Sequence, residues 1–181
     1  MRGKPAVFLD RDGVLNRKPP AHEYVESAAT LEVEPHAAEA VGTLRDAGYT
    51  PIVVSNQRGV ALGRVSEETL TEIEHVLVAS GIQIEAFYYC RHDLPDRCAC
   101  RKPCPGLLIQ AAADHGLSLD ESVMIGDEET DVEAGRAAGC RTIRLAAGDQ
   151  ATGADEIAAD LEAAAAIVAA RWSRPRSATA S

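Results

Sequence analysis

The sequence predicts an α/β fold, a doubly wound, mostly parallel sheet of Rossmann-like layout. Three observations predict it. Short apolar runs alternate with helical stretches along most of the chain. The runs are continuously apolar, as in strands covered on both faces. Polar residues follow directly on three of them, where a doubly wound sheet places its ligands. With 181 residues and 46% hydrophobic content, one core suffices and a single domain over residues 1–172 is expected.

The first strand is Ala6 to Leu9, ending in the charged turn Asp10-Arg-Asp-Gly13. A helix opened by Pro35 and closed by Gly48 follows, then a β-branched strand from Pro51 to Ser55. The next helix begins near Ser66, with Glu67 and Glu68 placed to complement its positive N-terminus. Ile84 to Tyr89 reads as a strand, Pro105 to Gly116 as a helix, and Ser122 to Ile125 as a strand. A helix from Thr130 to Ala138, a strand from Cys140 to Leu145 and an Ala-rich helix from about Ala154 to Ala170 complete the alternation. From Ser173 onward no apolar period remains, and residues 173–181 are expected to be disordered.

The formal charge of −10, from 28 acidic against 18 basic residues, would repel a polyanion, so nucleic acid is not an expected partner. No stretch approaches the ~20 apolar residues that span a bilayer, and the N-terminus lacks a secretory pattern. A cytoplasmic monomer is expected. An acidic chain can still bind an anionic substrate if a cation inverts the field locally, so the charge does not exclude a small phosphorylated metabolite.

Three strand ends carry the candidate chemistry: Asp10 and Asp12, then Ser55-Asn56-Gln57, then Gly126-Asp127 with Asp131. A lone Asp-x-Asp is commonly a solvated turn. Two carboxylates in one turn with a third converging from another strand make a hard, oxygen-rich site suited to Mg²⁺. A metal there would let one aspartate attack phosphorus, while Ser55 and Lys102 could meet the phosphoryl oxygens.

Four of the five cysteines crowd together, and Cys140 stands alone as a buried strand residue. Cys90-x-His92 and Cys98-x-Cys100 supply three thiolates and an imidazole, a set that closes a tetrahedral Zn²⁺ site of the structural type. Reduced loop cysteines are the alternative. Cys98 and Cys100 are too near in sequence for an unstrained mutual disulfide. Zinc would order a long loop and pin Arg101 and Lys102 beside the strand ends.

Phe8-Leu-Asp-Arg-Asp-Gly13, Val53-Val-Ser-Asn-Gln57, Arg101-Lys-Pro103 and Gly126-Asp-x-x-x-Asp131 together resemble the four motifs of haloacid dehalogenase-type phosphatases, from residue 8 to about 145. The resemblance implies that Asp10 forms an aspartyl-phosphate and that Asp12 protonates the leaving oxygen and then activates water. It implies that Ser55 and Lys102 hold the phosphoryl group, and that Asp10, the Asp12 carbonyl and Asp127 bind Mg²⁺. Asp131 would then orient water or Lys102. Ser55, Asn56, Gln57, Arg58, Arg101 and Lys102 are the expected substrate contacts.

The Cys-x-His…Cys-x-Cys-Arg-Lys-Pro loop resembles two small, nearly capless branches, the heptose bisphosphate and the histidinol-phosphate phosphatases. Asn16 and Asn56-Gln-Arg-Gly-Val60 look like the heptose branch, whereas the five-residue spacer between His92 and Cys98 is similar to the histidinol branch. Loop length changes cheaply, so hydrolysis of heptose 1,7-bisphosphate to the 1-phosphate is the first expectation and histidinol phosphate the second. A zinc-stabilised binding module without turnover would be expected to have lost a nucleophile or ligand, and here none is lost. Departures from the pattern are Val14, Cys104, and Glu128 where the heptose enzymes often carry a lysine.

Overall fold

A computed structural model describes residues 3–148 and 151–172. Its centre is one six-stranded sheet in the order β3-β2-β1-β4-β5-β6. The strands are β1 (Ala6–Leu9), β2 (Thr50–Asn56), β3 (Ala86–Cys90), β4 (Val123–Gly126), β5 (Arg141–Leu145) and β6 (Glu156–Ala158). Every pairing is parallel, so the sheet is wholly parallel.

The helices are α1 (Ala37–Asp46), α2 (Arg58–Ala61), α3 (Glu67–Ala79), α4 (Gly106–His115), α5 (Glu129–Ala138) and α6 (Leu161–Arg171). They divide between the two faces, and β1 shows the division residue by residue. Val7 and Leu9 join a core with buried side chains of α1, α3 and α6. Ala6 and Phe8 point the other way, into a second core with Leu107, Leu108 and Ala111 of α4 and Ala134 of α5. All four strand residues are buried, which is why the run is continuously apolar instead of alternating. Helix α3 starts where Ser66 accepts a hydrogen bond from the Thr69 N–H.

The structure corrects the expected helix from Ala154. The chain first forms β6 at the sheet edge, and α6 starts only at Leu161, capped by Asp160 accepting from the Ala163 N–H at 2.8 Å. Asp155 is the cause. Its carboxylate accepts from the Thr142 N–H at 2.7 Å, and its own N–H donates to the Thr142 carbonyl at 3.1 Å. These bonds draw residues 155–158 alongside β5, and edge pairing overrides the helix propensity of the alanines. Cys140 lies buried one residue before β5. The expected disorder of 173–181 falls outside the described residues.

Candidate active site

The C-terminal ends of β1, β2 and β4 open onto a cleft of about 670 Å³. Asp10 is carried by β1, its N–H donating to the Ile125 carbonyl of β4 at 3.1 Å. Ser55 ends the buried part of β2, while Asp127 and Asp131 follow β4. Two glycines make the close approach possible. Gly13 has φ +87°, and a Cβ there would stand 2.5 Å from Asp127 Oδ2. A Cβ on Gly126 would collide with the Asp131 carboxylate.

Lys102, only 3% exposed, reaches into this cluster from the loop before α4. Its Nζ lies 2.9 Å from Asp10 Oδ1 and 2.6 Å from Asp131 Oδ1, and donates to the Val54 carbonyl at 2.8 Å. Burial would lower the ammonium's pKa, but Asp10 and Asp131 outweigh it and hold Lys102 charged, with its pKa raised. Burial raises the Asp10 pKa; Lys102 opposes the shift, and Asp131 and Asp12 add to it.

Asp12 is held from three sides. Arg11, itself 1% exposed, donates through Nε at 3.1 Å and Nη2 at 2.8 Å; Asn16 Nδ2 donates at 2.9 Å and Gln57 Nε2 at 3.1 Å. Gln57 also donates to Ser55 Oγ at 3.1 Å. The Asp12 carboxylate is thereby fixed at the cleft wall.

Single carboxylate oxygens of Asp10, Asp127 and Asp131 lie within 4.8 Å of one another. Asp127 Oδ1 is buried without a hydrogen-bond partner, and Asp10 Oδ1 is buried with its ion pair to Lys102 but no well-directed hydrogen bond. Burial raises the Asp127 pKa, partly offset by Lys18. Hard anionic oxygens, one of them unsatisfied, fit a cation of the Mg²⁺ type.

A second donor cluster forms around the loop after β3. Cys90 Sγ is 3.5 Å from Cys98 Sγ, Cys98 Sγ is 3.4 Å from Cys100 Sγ, and His92 Nδ1 is 3.1 Å from Cys100 Sγ. Sulfurs on a tetrahedral Zn²⁺ with bonds of ~2.3 Å would sit ~3.8 Å apart, close to this spacing. The set fits zinc. Cys98 carries the loop's most acidic thiol: burial pushes it up, but hydrogen bonds from the Cys100 thiol and the Arg101 N–H bring it to about 7.

Asp10, Asp12, Ser55, Asn56, Gln57, Arg101 and Lys102 all line the cleft. Arg58 is turned to Asp93, with Nε 2.5 Å from its carboxylate, and is not among the lining residues. Asn56 lines the cleft while its side-chain amide is bonded to the backbone of Lys102. Reading by motif missed Arg11 and Lys18. Their charge within a few residues of the first aspartates was a signal, but its target depended on how the turn folds.

The HAD-hydrolase-like family model matches residues 99–170. Together with that match and the relatives that follow, the parallel sheet of order 3-2-1-4-5-6 and the aspartate–lysine cluster at its carboxyl edge belong to a phosphohydrolase of the haloacid dehalogenase class. A protein from Thermosynechococcus vestitus, named D-glycero-D-manno-heptose-1,7-bisphosphate 7-phosphatase, is 36% identical, with 89% of this chain and 93% of that protein aligned. The Helicobacter pylori 7-phosphatase for the β-heptose bisphosphate is 34% identical over 75% of this chain and 79% of its own. The crystal structure of D,D-heptose 1,7-bisphosphate phosphatase from B. bronchiseptica, complexed with magnesium and phosphate, superposes with a TM-score of 0.79 at 30% identity, covering 91% of this chain and 97% of that one. The chain belongs to this heptose-bisphosphate phosphatase family of the haloacid dehalogenase superfamily and is a phosphoric monoester hydrolase. Among the described residues no helix is long and apolar enough to cross a membrane.

Proposed function

We propose that this chain removes the 7-phosphate of D-glycero-D-manno-heptose 1,7-bisphosphate, leaving heptose 1-phosphate, with Asp10 as the nucleophile. The observation that carries the chemistry is Lys102 Nζ held between Asp10 at 2.9 Å and Asp131 at 2.6 Å at the strand ends. A buried cation in contact with the attacking carboxylate is placed to meet phosphoryl oxygens as charge develops. The substrate is supported by the names of relatives at 34–36% identity over most of the chain.

In this reading an Asp10 oxygen bonds to phosphorus as the sugar oxygen leaves, and Asp12 gives that oxygen its proton. Asp12, now a carboxylate, takes a proton from water as the water oxygen attacks the aspartyl-phosphate. Phosphate departs and Asp10 is regenerated. Arg11, Asn16 and Gln57 keep Asp12 in place for both transfers. Ser55 Oγ donates to a phosphoryl oxygen, and Arg101 lines the cleft for the sugar phosphate.

Asp10, Asp127 and the Asp12 carbonyl would hold Mg²⁺, which when bound neutralises charge on the phosphoryl oxygens. Asp131 keeps Lys102 upright beside them. Cys90, His92, Cys98 and Cys100 would hold a structural Zn²⁺, with all four positions filled by protein. Bound there, zinc would brace the loop bearing Arg101 and Lys102, whose far end is tied by the Gly106 N–H to the Ala99 carbonyl at 3.0 Å. Free thiols in such a site fit a reducing, cytoplasmic location.

The test is phosphate release from both anomers of heptose 1,7-bisphosphate, histidinol phosphate and common sugar phosphates, with ³¹P NMR to show which phosphate is lost. A higher kcat/KM for histidinol phosphate, or loss of the 1-phosphate, would overturn the assignment.

A further inference from the structure

Lys18 stands outside every motif, yet it sits at the rim of the carboxylate cluster. Its Nζ is 2.5 Å from Asp127 Oδ2 and also pairs with Glu128. The side chain is 44% exposed and lines the cleft. Asp127 is at the same time one of the three carboxylates placed to share a metal ion. The Asp127 carboxylate therefore has two suitors of like charge, the Lys18 ammonium on Oδ2 and a metal ion on the unpartnered Oδ1, and a divalent cation on the one oxygen would repel the ammonium on the other.

We propose that Lys18 is a specificity-determining residue that exchanges with the metal. It competes with Mg²⁺ for Asp127, and once displaced it offers its ammonium to the substrate's second phosphate. This rests on the bisphosphate reading above. The chemistry is economical: the cleft gains a free cation only when the site is loaded for phosphoryl transfer. Glu128, exposed and one residue on, keeps the displaced ammonium at the cleft rim. Lys102 is buried beside the attacking carboxylate, held there by Asp131 and the Val54 carbonyl, and serves the transferred phosphoryl group, not the second phosphate.

Two measurements on Lys18→Met and Lys18→Arg test the proposal. The first is Mn²⁺ affinity of the substrate-free protein by electron paramagnetic resonance. Removing the competitor should tighten binding about three- to fivefold in Lys18→Met, the size of a partly exposed ion pair, while Lys18→Arg stays near wild type. Unchanged or weaker Mn²⁺ binding in a folded Lys18→Met protein overturns the exchange.

The second is the ratio of kcat/KM for heptose 1,7-bisphosphate over heptose 7-phosphate. Lys18→Met should lower this ratio about tenfold or more, the loss of one charge-assisted contact, through KM, with Lys18→Arg restoring most of it. An equal fall on both substrates overturns the specificity role. If wild type hydrolyses neither sugar, the substrate reading has failed, and the Mn²⁺ measurement still decides whether Lys18 competes for Asp127.

Discussion

The side-chain amide of Asn56 clasps the backbone of Lys102 on both sides, accepting from its N–H at 3.0 Å and donating to its carbonyl at 3.1 Å. The clasp links the end of β2 to a loop 46 positions further along the chain. It fixes the point from which the Lys102 side chain reaches Asp10.

Asn56 should therefore act through Lys102 and not through substrate affinity. Asn56→Ala removes both hydrogen bonds and should lower kcat by roughly 10- to 100-fold, the worth of about 1–3 kcal/mol, with KM little changed. Asn56→Asp keeps an acceptor for the N–H but sets a carboxylate against the Lys102 carbonyl, so it should recover only part of the loss. Steady-state kinetics on the best substrate checks this. A rise in KM at unchanged kcat would make Asn56 a substrate contact instead.

Asp10→Asn should abolish turnover while the protein stays folded. The amide preserves the shape but has no anionic oxygen for attack on phosphorus, and a loss of about 10⁴-fold or more is expected for a nucleophile. Phosphate release beside far-UV circular dichroism tests it. Appreciable activity in the purified variant would remove Asp10 from the nucleophile's role.

The two metals should divide their labour. Asp10, Asp127 and the Asp12 carbonyl would bind a hard ion reversibly, so brief EDTA treatment followed by Mg²⁺ alone should restore activity while zinc is retained. Cys98→Ser should lower zinc per chain, melting temperature and kcat together, because the loop that carries Lys102 loses its brace. Elemental analysis alongside thermal melting checks it. Wild-type protein fully active with Mg²⁺ yet containing no zinc would sink the four-ligand assignment.

Glu129 should give a distinct acid signature. The Gly153 N–H at 2.7 Å, the Thr152 hydroxyl at 2.7 Å and Arg144 at 2.9 Å all meet its carboxylate and hold its pKa below the usual glutamate range. A depressed carboxyl contributes stability above its unfolded pKa, and that contribution is lost as pH falls through the folded pKa. Glu129→Gln should thus melt lower than wild type near neutrality, with the gap closing below about pH 4. Melting curves across pH 3–7 test this, and a gap independent of pH would mean the carboxylate's charge is irrelevant there.

Local pattern was enough to reveal the parallel α/β class, because strands buried on both faces must be continuously apolar, as Ala6–Leu9 is. It was also enough to bring Asp10, Ser55 and Asp127 into one inventory, since in such a sheet polar residues after strands share one edge, while Lys102 joined them through the resemblance of Arg101-Lys-Pro103 to a family motif. Residues 155–158 went the other way: they lie at the head of an Ala-rich stretch that favours a helix, and the Asp155–Thr142 bonds, formed across the sheet, set them in an edge strand. The same holds in the site. That Asn56 grips Lys102, that Arg58 turns to Asp93, and that Lys18 reaches Asp127 across 109 positions are contacts between distant segments. Residue type and spacing determine which chemistry a chain carries; which side chain meets which partner is decided by the packing that brings the strand ends and loops together.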